Sequence, residues 1–242
     1  MANIRLDKFL ADMQIGTRSQ VKELIRKGRV EVNNIKVMST DAKISTDDIV
    51  KVDGIDVSYA EVEYYMLNKP AGVLSAARDK KQPTVLDLIP SKKRKDLFPV
   101  GRLDKDTYGL LLITNDGELA HKLLAPKSHV DKVYYAKING LADDSTIKAF
   151  REGVFIEQDV KTMPAELEII STDTYLNQSE IRLTVHEGKF HQVKRMFETQ
   201  GMEVTFLKRL SMGSLELDES LEYGQYRPLT QKEINDLKDL TR

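Results

Sequence analysis

Apolar residues near the start of the chain recur first with a helical period, then with an alternating one. Leu6, Phe9, Leu10 and Met13 fall at i, i+3, i+4 and i+7, which predicts a short helix over 5–13, with Gly16 as its breaker. Thr17 reads as the N-cap of a second helix, with Gln20 as capping-box partner. That helix should run to about Lys27 and end at Gly28, with Val21, Leu24 and Ile25 as its apolar face. Val30, Val32, Ile35 and Val37 then alternate around Asn33-Asn34, a hairpin turn signal. Ile49, Val50, Val52, Asp53-Gly54, Ile55 and Val57 predict more strand. Two small helices followed by a small sheet predict a compact module over 1–58.

Residues 59–63 read as a linker, and 64–242 as a second domain. Tyr64 to Lys69 is strand-like and runs into a turn set by Pro70 and Gly72. Leu110 to Ile113 is an unbroken apolar run, as expected of a buried strand. Other strand-like runs are 132–139, 165–170 and 180–186; helix-like runs are 118–124, 145–151, 191–199 and 231–240. The two types do not alternate strictly. An α+β fold on a mixed, largely antiparallel sheet is therefore predicted over a doubly wound one.

Charge sharpens this outline. The net charge is −1, so its distribution carries the information. Arg18, Lys22 and Arg26 sit four apart on the second helix, and 18–29 holds five basic residues against Glu23. A solvated face would explain a basic stripe in general. This one is one-signed, short and next to a small sheet, which favours a polyanion, with Arg18, Lys22, Arg26 and Arg29 as contacts. A second basic surface segment spans 78–95, with seven basic residues against Asp79 and Asp87. Residues 213–242 hold seven acids and four bases, and are expected to lie away from a polyanion. Cysteine is absent, which excludes disulfides, thiolate metal sites and cysteine nucleophiles; four histidines argue against a multi-histidine metal centre. No apolar leader or membrane-length segment is present, so a soluble, cytoplasmic protein is expected.

The richest candidate chemistry lies in Gly101-Arg102-Leu103-Asp104-Lys105-Asp106-Thr107-Tyr108-Gly109. A carboxylate beside basic residues and an apolar run suits covalent or acid–base work. On the residues alone, Asp104 could equally be a cap, a turn residue or an arginine partner. Asp104 and Asp106 could also hold Mg²⁺, but Asp116 is the only other obvious acid nearby, and the intervening cations weaken such a site.

Two resemblances enter here. Arg5–Ala11, Thr17–Gln20 and Gly28–Asn33 resemble the S4 RNA-binding domain, whose basic second helix tracks structured RNA by shape. Residues 101–117, read with Leu67–Gly72, Lys132-Val133-Tyr134, Glu187–Phe197, Leu207–Leu210 and Gly224–Thr230, resemble the RsuA-type pseudouridine synthases. The order of the motifs is right, and together with the S4 module they cover nearly the whole chain. The resemblance implies a small S4-like module joined to a catalytic domain on a mixed sheet. It implies a reaction that breaks the N1–C1′ bond of a uridine and remakes it as C5–C1′, with no cofactor and no metal.

By the same resemblance, Asp104 is the nucleophile, Tyr134 packs on the target base and removes the C5 proton, and Lys194 is the cation that keeps Asp104 ionised. Arg195 beside it is the alternative partner and a candidate for RNA contact. Arg102 is a candidate for holding the flipped nucleotide, with a plain salt bridge equally open. His191 and Gln192 are candidates for RNA contact, or for capping the helix that carries Lys194. Tyr135 reads as a core residue on the opposite face from Tyr134. Asp106 reads as a structural or turn-stabilising residue. Tyr108 stands where relatives commonly have Thr or Ser, and should shape the pocket. His191–Phe197 is most like the small-subunit members, which implies uridine 516 of 16S rRNA, met as naked RNA or an assembly intermediate, by a monomeric enzyme. A 23S rRNA enzyme, a catalytically silent rRNA-binding factor and a metal-dependent phosphodiesterase remain as alternatives.

Overall fold

A computed structural model of the chain describes residues 4–45, 47–57 and 62–240. The predicted linker falls largely outside these residues. The chain divides into two compact units. The first comprises residues 1–63 with 91–97, and the second 64–90 with 98–242. Segment 91–97 was expected in the second domain. It clusters instead with the first unit, because the backbone amides of Lys93 and Arg94 donate to the Glu63 carboxylate, and that of Lys95 to the Asp12 carbonyl.

In the first unit, α1 (Leu6–Asp12) and α2 (Arg18–Arg26) pack on a small antiparallel sheet. Thr17 caps α2 through the expected box: its hydroxyl accepts from the Gln20 amide, and the Gln20 side chain accepts from the Thr17 amide. Gly28 follows α2 at φ +65°, the left-handed conformation that stops a helix. The sheet contains β1 (Val30–Val32), β2 (Ile35–Lys36), β3 (Val50–Val52) and β4 (Ile55–Val57) in the order β2-β1-β3-β4. Asn33-Asn34 turn between the first pair, both with positive φ. Leu6, Leu10, Val21, Ile25, Val30 and Val50 form the core.

The second unit is built on one nine-stranded mixed sheet. Its main strands are β5 (Tyr64–Lys69), β6 (Tyr108–Thr114), β7 (Lys132–Asn139), β8 (Glu166–Asp173), β9 (Gln178–Val185), β10 (Glu203–Met212) and β11 (Tyr226–Pro228). They run in the order β8-β9-β7-β10-β6-β5-β11. Neighbours are antiparallel except β10 and β6, which are parallel and set Arg209 against Gly109. That close approach requires glycine. Gly109 has φ +100°, and a Cβ there would lie 2.2 Å from the Arg209 carbonyl oxygen.

The helices are α3 (Gly117–Leu124), α4 (Asp144–Glu152), α5 (Gln192–Glu198) and α6 (Gln231–Leu240). Ala136, Ile181, Leu183 and Leu207 pack under Phe150 of α4 and Phe197 of α5. Leu110, Leu112 and Met66 face α3 and α6 through Leu119, Leu123 and Leu237. Leu111 and Ile113 on the other face of β6 are fully buried too, which explains its unbroken apolar sequence. No helix of the described residues is long and apolar enough to cross a membrane.

Candidate active site

Strand β5 delivers Lys69 to the underside of the Asp104 loop. Its side chain is fully buried. The ammonium donates to the carbonyls of Pro70 (2.9 Å), Asp104 (3.0 Å), Lys105 (3.3 Å) and Thr107 (2.9 Å). The loop is pinned elsewhere too. The Thr107 amide donates to the Asp104 carbonyl at 3.1 Å, and the Gly72 amide to the Lys105 carbonyl at 2.8 Å. The Ser75 hydroxyl accepts from the Leu103 amide and donates to its carbonyl. Burial pushes the Lys69 pKa down to about 8, while the nearby Asp106 and Asp104 oppose the shift. Sequence reading gave Lys69 no role of its own. The available signal was a lysine closing a strand that is otherwise buried, where an ammonium must find acceptors.

With its backbone fixed from below, Asp104 turns its side chain into a cleft that also contains Arg102, Tyr134, His191 and Lys194. The Lys194 ammonium lies 3.5 Å from Asp104 Oδ2, and His191 Nε2 lies 3.5 Å from Asp104 Oδ1. Lys194 approaches Asp106 more closely, at 2.6 and 2.7 Å to its two oxygens. Asp106 therefore does more than stabilise a turn. Its hydrogen bond to Lys194 holds its own carboxyl below the usual range and fixes the ammonium between two carboxylates. A divalent ion bridging the pair would have to displace that ammonium.

Arg195 does not share this place. Successive residues on a helix point about 100° apart, and its guanidinium donates to Glu157 (2.5 Å) and the Ile156 carbonyl (2.7 Å). Lys194 is thus the cation beside Asp104, and Arg195 anchors α5 to the segment 155–157.

Tyr134 sits on β7, opposite Leu183 of β9 and Arg209 of β10, partly buried at the cleft. Tyr135 faces the other way, as alternation demands. It is half-buried rather than core, because its hydroxyl reaches Glu180. Tyr108 does not shape the pocket. Its ring stacks on Phe206 (centroids 5.1 Å apart, 25° between planes) and meets Tyr223 at 4.9 Å, on the sheet face away from Gly109 and Arg209.

The segment before α5 is organised by Glu187, which is buried and accepts from the Met163 amide (2.9 Å) and the Gln192 amide group (3.0 Å). It also pairs with the Lys189 ammonium. The Gln192 carbonyl oxygen accepts from the Lys189 amide at 2.9 Å. Gln192 is buried, and its polar atoms are committed to this framework instead of facing RNA. His191 holds a left-handed backbone, φ +50°, and does face the cleft. Arg102 is exposed there, with no ion pair among the described residues.

In the first unit, Arg18 and Arg26 are exposed on α2, and Lys22 is half-buried between them; none is in an ion pair among the described residues. Arg29 is not free in the same way. Its guanidinium makes a two-pronged pair with Asp53, at 2.7 and 2.5 Å. The basic segment 78–95 is also less open than its sequence suggests. Arg94 is buried and paired with Asp96 at 2.6 Å and Asp12 at 3.9 Å.

Comparison with known proteins gives this geometry its context. Residues 63–199 match the RNA pseudouridylate synthase family, and residues 4–50 match the S4 domain. A ribosomal large subunit pseudouridine synthase B of Bacillus subtilis is 40% identical over 98% of this chain and 96% of its own. A ribosomal small subunit pseudouridine synthase A of Haemophilus influenzae is 39% identical over 97% and 99%. A crystal structure of a pseudouridylate synthase, 38% identical, superposes with a TM-score of 0.67 over 97% of this chain and 99% of that one. The cleft around Asp104 falls inside the matched region, and the chain is a member of the RNA pseudouridylate synthase family, an S4 domain followed by a pseudouridine synthase domain.

Proposed function

We propose that this enzyme isomerises one uridine of 16S rRNA, uridine 516, with Asp104 as nucleophile. The observation that carries the assignment of Asp104 is its place in the cleft. It shares that space with Tyr134 and with a lysine ammonium, on a loop whose backbone is held by three hydrogen bonds from one buried lysine. Such a carboxylate is preorganised to attack, with the Lys194 ammonium 3.5 Å away. Attack frees the uracil N1 from C1′. The base turns and C5 bonds to C1′ as the bond from C1′ to the Asp104 oxygen breaks and returns the carboxylate; Tyr134 takes the C5 proton, and N1 gains one. The isomerisation balances without an oxidant, reductant or second substrate. The uridine must leave its stack to reach Asp104, which costs a few kcal/mol, and Arg102 holds the extruded nucleotide.

The 16S assignment rests on His191–Phe197, with lysine at 194, and on the likeness to the small-subunit relative. The large-subunit relative is as similar, so 23S rRNA is the competing substrate. The enzyme is proposed to work as a cytoplasmic monomer, with Arg18, Lys22 and Arg26 of the S4 domain on RNA phosphates. The test is to incubate 16S and 23S rRNA fragments with wild type and Asp104→Asn, with and without EDTA, and to map pseudouridine by carbodiimide treatment and primer extension. Pseudouridine at 516, lost in Asp104→Asn and retained in EDTA, is expected. Signal only in 23S rRNA overturns the substrate, activity in Asp104→Asn overturns the nucleophile, and loss in EDTA overturns the metal-free route.

A further inference from the structure

Phe190 is 71% exposed, immediately beside the cleft. Large apolar side chains are usually exposed where nothing fixes them. Here the surroundings are fixed on every side. The Phe190 carbonyl accepts from Arg195, whose other contacts tie it to Ile156 and Glu157. Lys189 and Gln192, which flank the Phe190-His191 pair, are joined by two hydrogen bonds, from the Gln192 amide to the Lys189 carbonyl at 3.2 Å and from the Lys189 amide to the Gln192 side chain at 2.9 Å. Buried Glu187 anchors both side chains. The Phe190 ring stacks on His191 at a centroid distance of 3.8 Å, with 19° between planes. His191 in turn stands 3.5 Å from Asp104 and holds an uncommon left-handed backbone. The result is a two-ring stack beside Asp104, with the Phe190 ring largely open to solvent.

Flat, preorganised and sequence-neutral, an open aromatic face is what an unpaired nucleobase stacks on, because every base has a π-face. A protein–protein contact would need an apolar patch, whereas the cleft beside this ring is lined by Arg102, Lys189, His191 and Lys194. We infer that Phe190 is an RNA-stacking residue, receiving a base that neighbours the extruded uridine and so holding open the gap from which the target left. This deepens the proposed function and rests on it.

The experiment measures equilibrium binding of the 16S or 23S rRNA fragment that wild type holds more tightly, alongside the single-turnover rate at saturating enzyme. The variants are Phe190→Ala, Phe190→Leu and Phe190→Trp. Alanine and leucine should each weaken binding by about five- to 150-fold, the range for loss of one base–aromatic stack. Tryptophan should stay within about twofold of wild type, a shift of under 1 kcal/mol. The saturated rate should fall by no more than binding weakens in any of the three. Leucine matching wild type would reduce the contact to simple apolar cover and overturn the inference. So would unchanged binding by alanine, or a loss confined to the saturated rate. Binding is read whether or not the fragment is converted, so failure of the pseudouridine assay and failure of the stacking residue are separate results. The side chain is exposed, and equal melting temperatures for the three variants and wild type establish that the fold is not in question.

Discussion

Replacing Lys69 by methionine would isolate the device that fixes the Asp104 loop. Methionine keeps much of the length and the apolar stem, and removes the ammonium. Four backbone carbonyls lose their donor, three of them in the loop, at Asp104, Lys105 and Thr107. The Asp104 and Lys105 carbonyls keep the Thr107 and Gly72 amides as donors, so the full cost of an unpaired acceptor, roughly 1–3 kcal/mol each, falls on the Pro70 and Thr107 carbonyls. Against this, the ammonium no longer has to be desolvated. The depression of its pKa to about 8 puts that relief at about 3 kcal/mol. Set against one another, these leave a net loss of up to about 3 kcal/mol.

The catalytic effect should be larger than the stability effect suggests. A displacement of about 1 Å at a reacting group can cost on the order of 100-fold, and the Asp104 carbonyl is one of the atoms released. The expected pattern is a single-turnover rate lower by about 100-fold, RNA binding within a few-fold of wild type, and a melting temperature lower by no more than about 12 °C. Amide hydrogen exchange should accelerate over 101–109 and stay unchanged over β7 and β9. A variant with wild-type rate, or with unchanged exchange in the loop, would show that the loop holds its shape without the lysine.

Four further outcomes follow from the same structure. Lys69 and Lys132 are both buried, and both are pushed down to about 8; between pH 8 and the ordinary lysine range the unfolded chain binds more protons, so these groups make urea stability rise from pH 8 to 9.5, and Lys132→Met should reduce that slope. Gly109→Ala should lower stability by more than about 2 kcal/mol, because a methyl at φ +100° meets the Arg209 backbone at 2.2 Å, and a wild-type melting temperature would contradict it. Lys194→Met should slow the saturated rate by about 100-fold or more by unpairing Asp104 and Asp106, whereas Lys194→Arg should recover most of it; equal rates for both would remove charge as the cause. Arg18→Glu with Arg26→Glu should weaken RNA binding and flatten its salt dependence by about two phosphate contacts, leaving the saturated rate intact, and an unchanged salt slope would place the RNA elsewhere.

The sequence was most legible where structure is local. Thr17 and Gln20 are three residues apart and cap α2 as their spacing predicts. Asn33-Asn34 turn because both tolerate positive φ, and Gln231–Leu240 is a helix over the span its periodicity marks. The motif order also brought Asp104, Tyr134 and Lys194 together on paper before the cleft did so in space. These signals need no knowledge of what lies across the fold.

What only tertiary structure decided is how side chains are used once distant segments meet. Lys69 looked like the end of a strand, and became the support of the Asp104 loop because β5 pairs with β6 and carries it beneath residues 104–107. Lys194 was expected beside one carboxylate and lies between two, since the loop turns Asp106 to the same side. Arg29, Arg94, Arg195 and Gln192 each carry a polar group that sequence can assign to RNA, yet each is held by an internal partner. Tyr108 was expected to shape the pocket, but stacks on Phe206 instead. The sequence determines period, caps, turns and the order of motifs because those depend on neighbours in the chain. Partner, face and exposure depend on neighbours in space, and only the folded sheet supplies them.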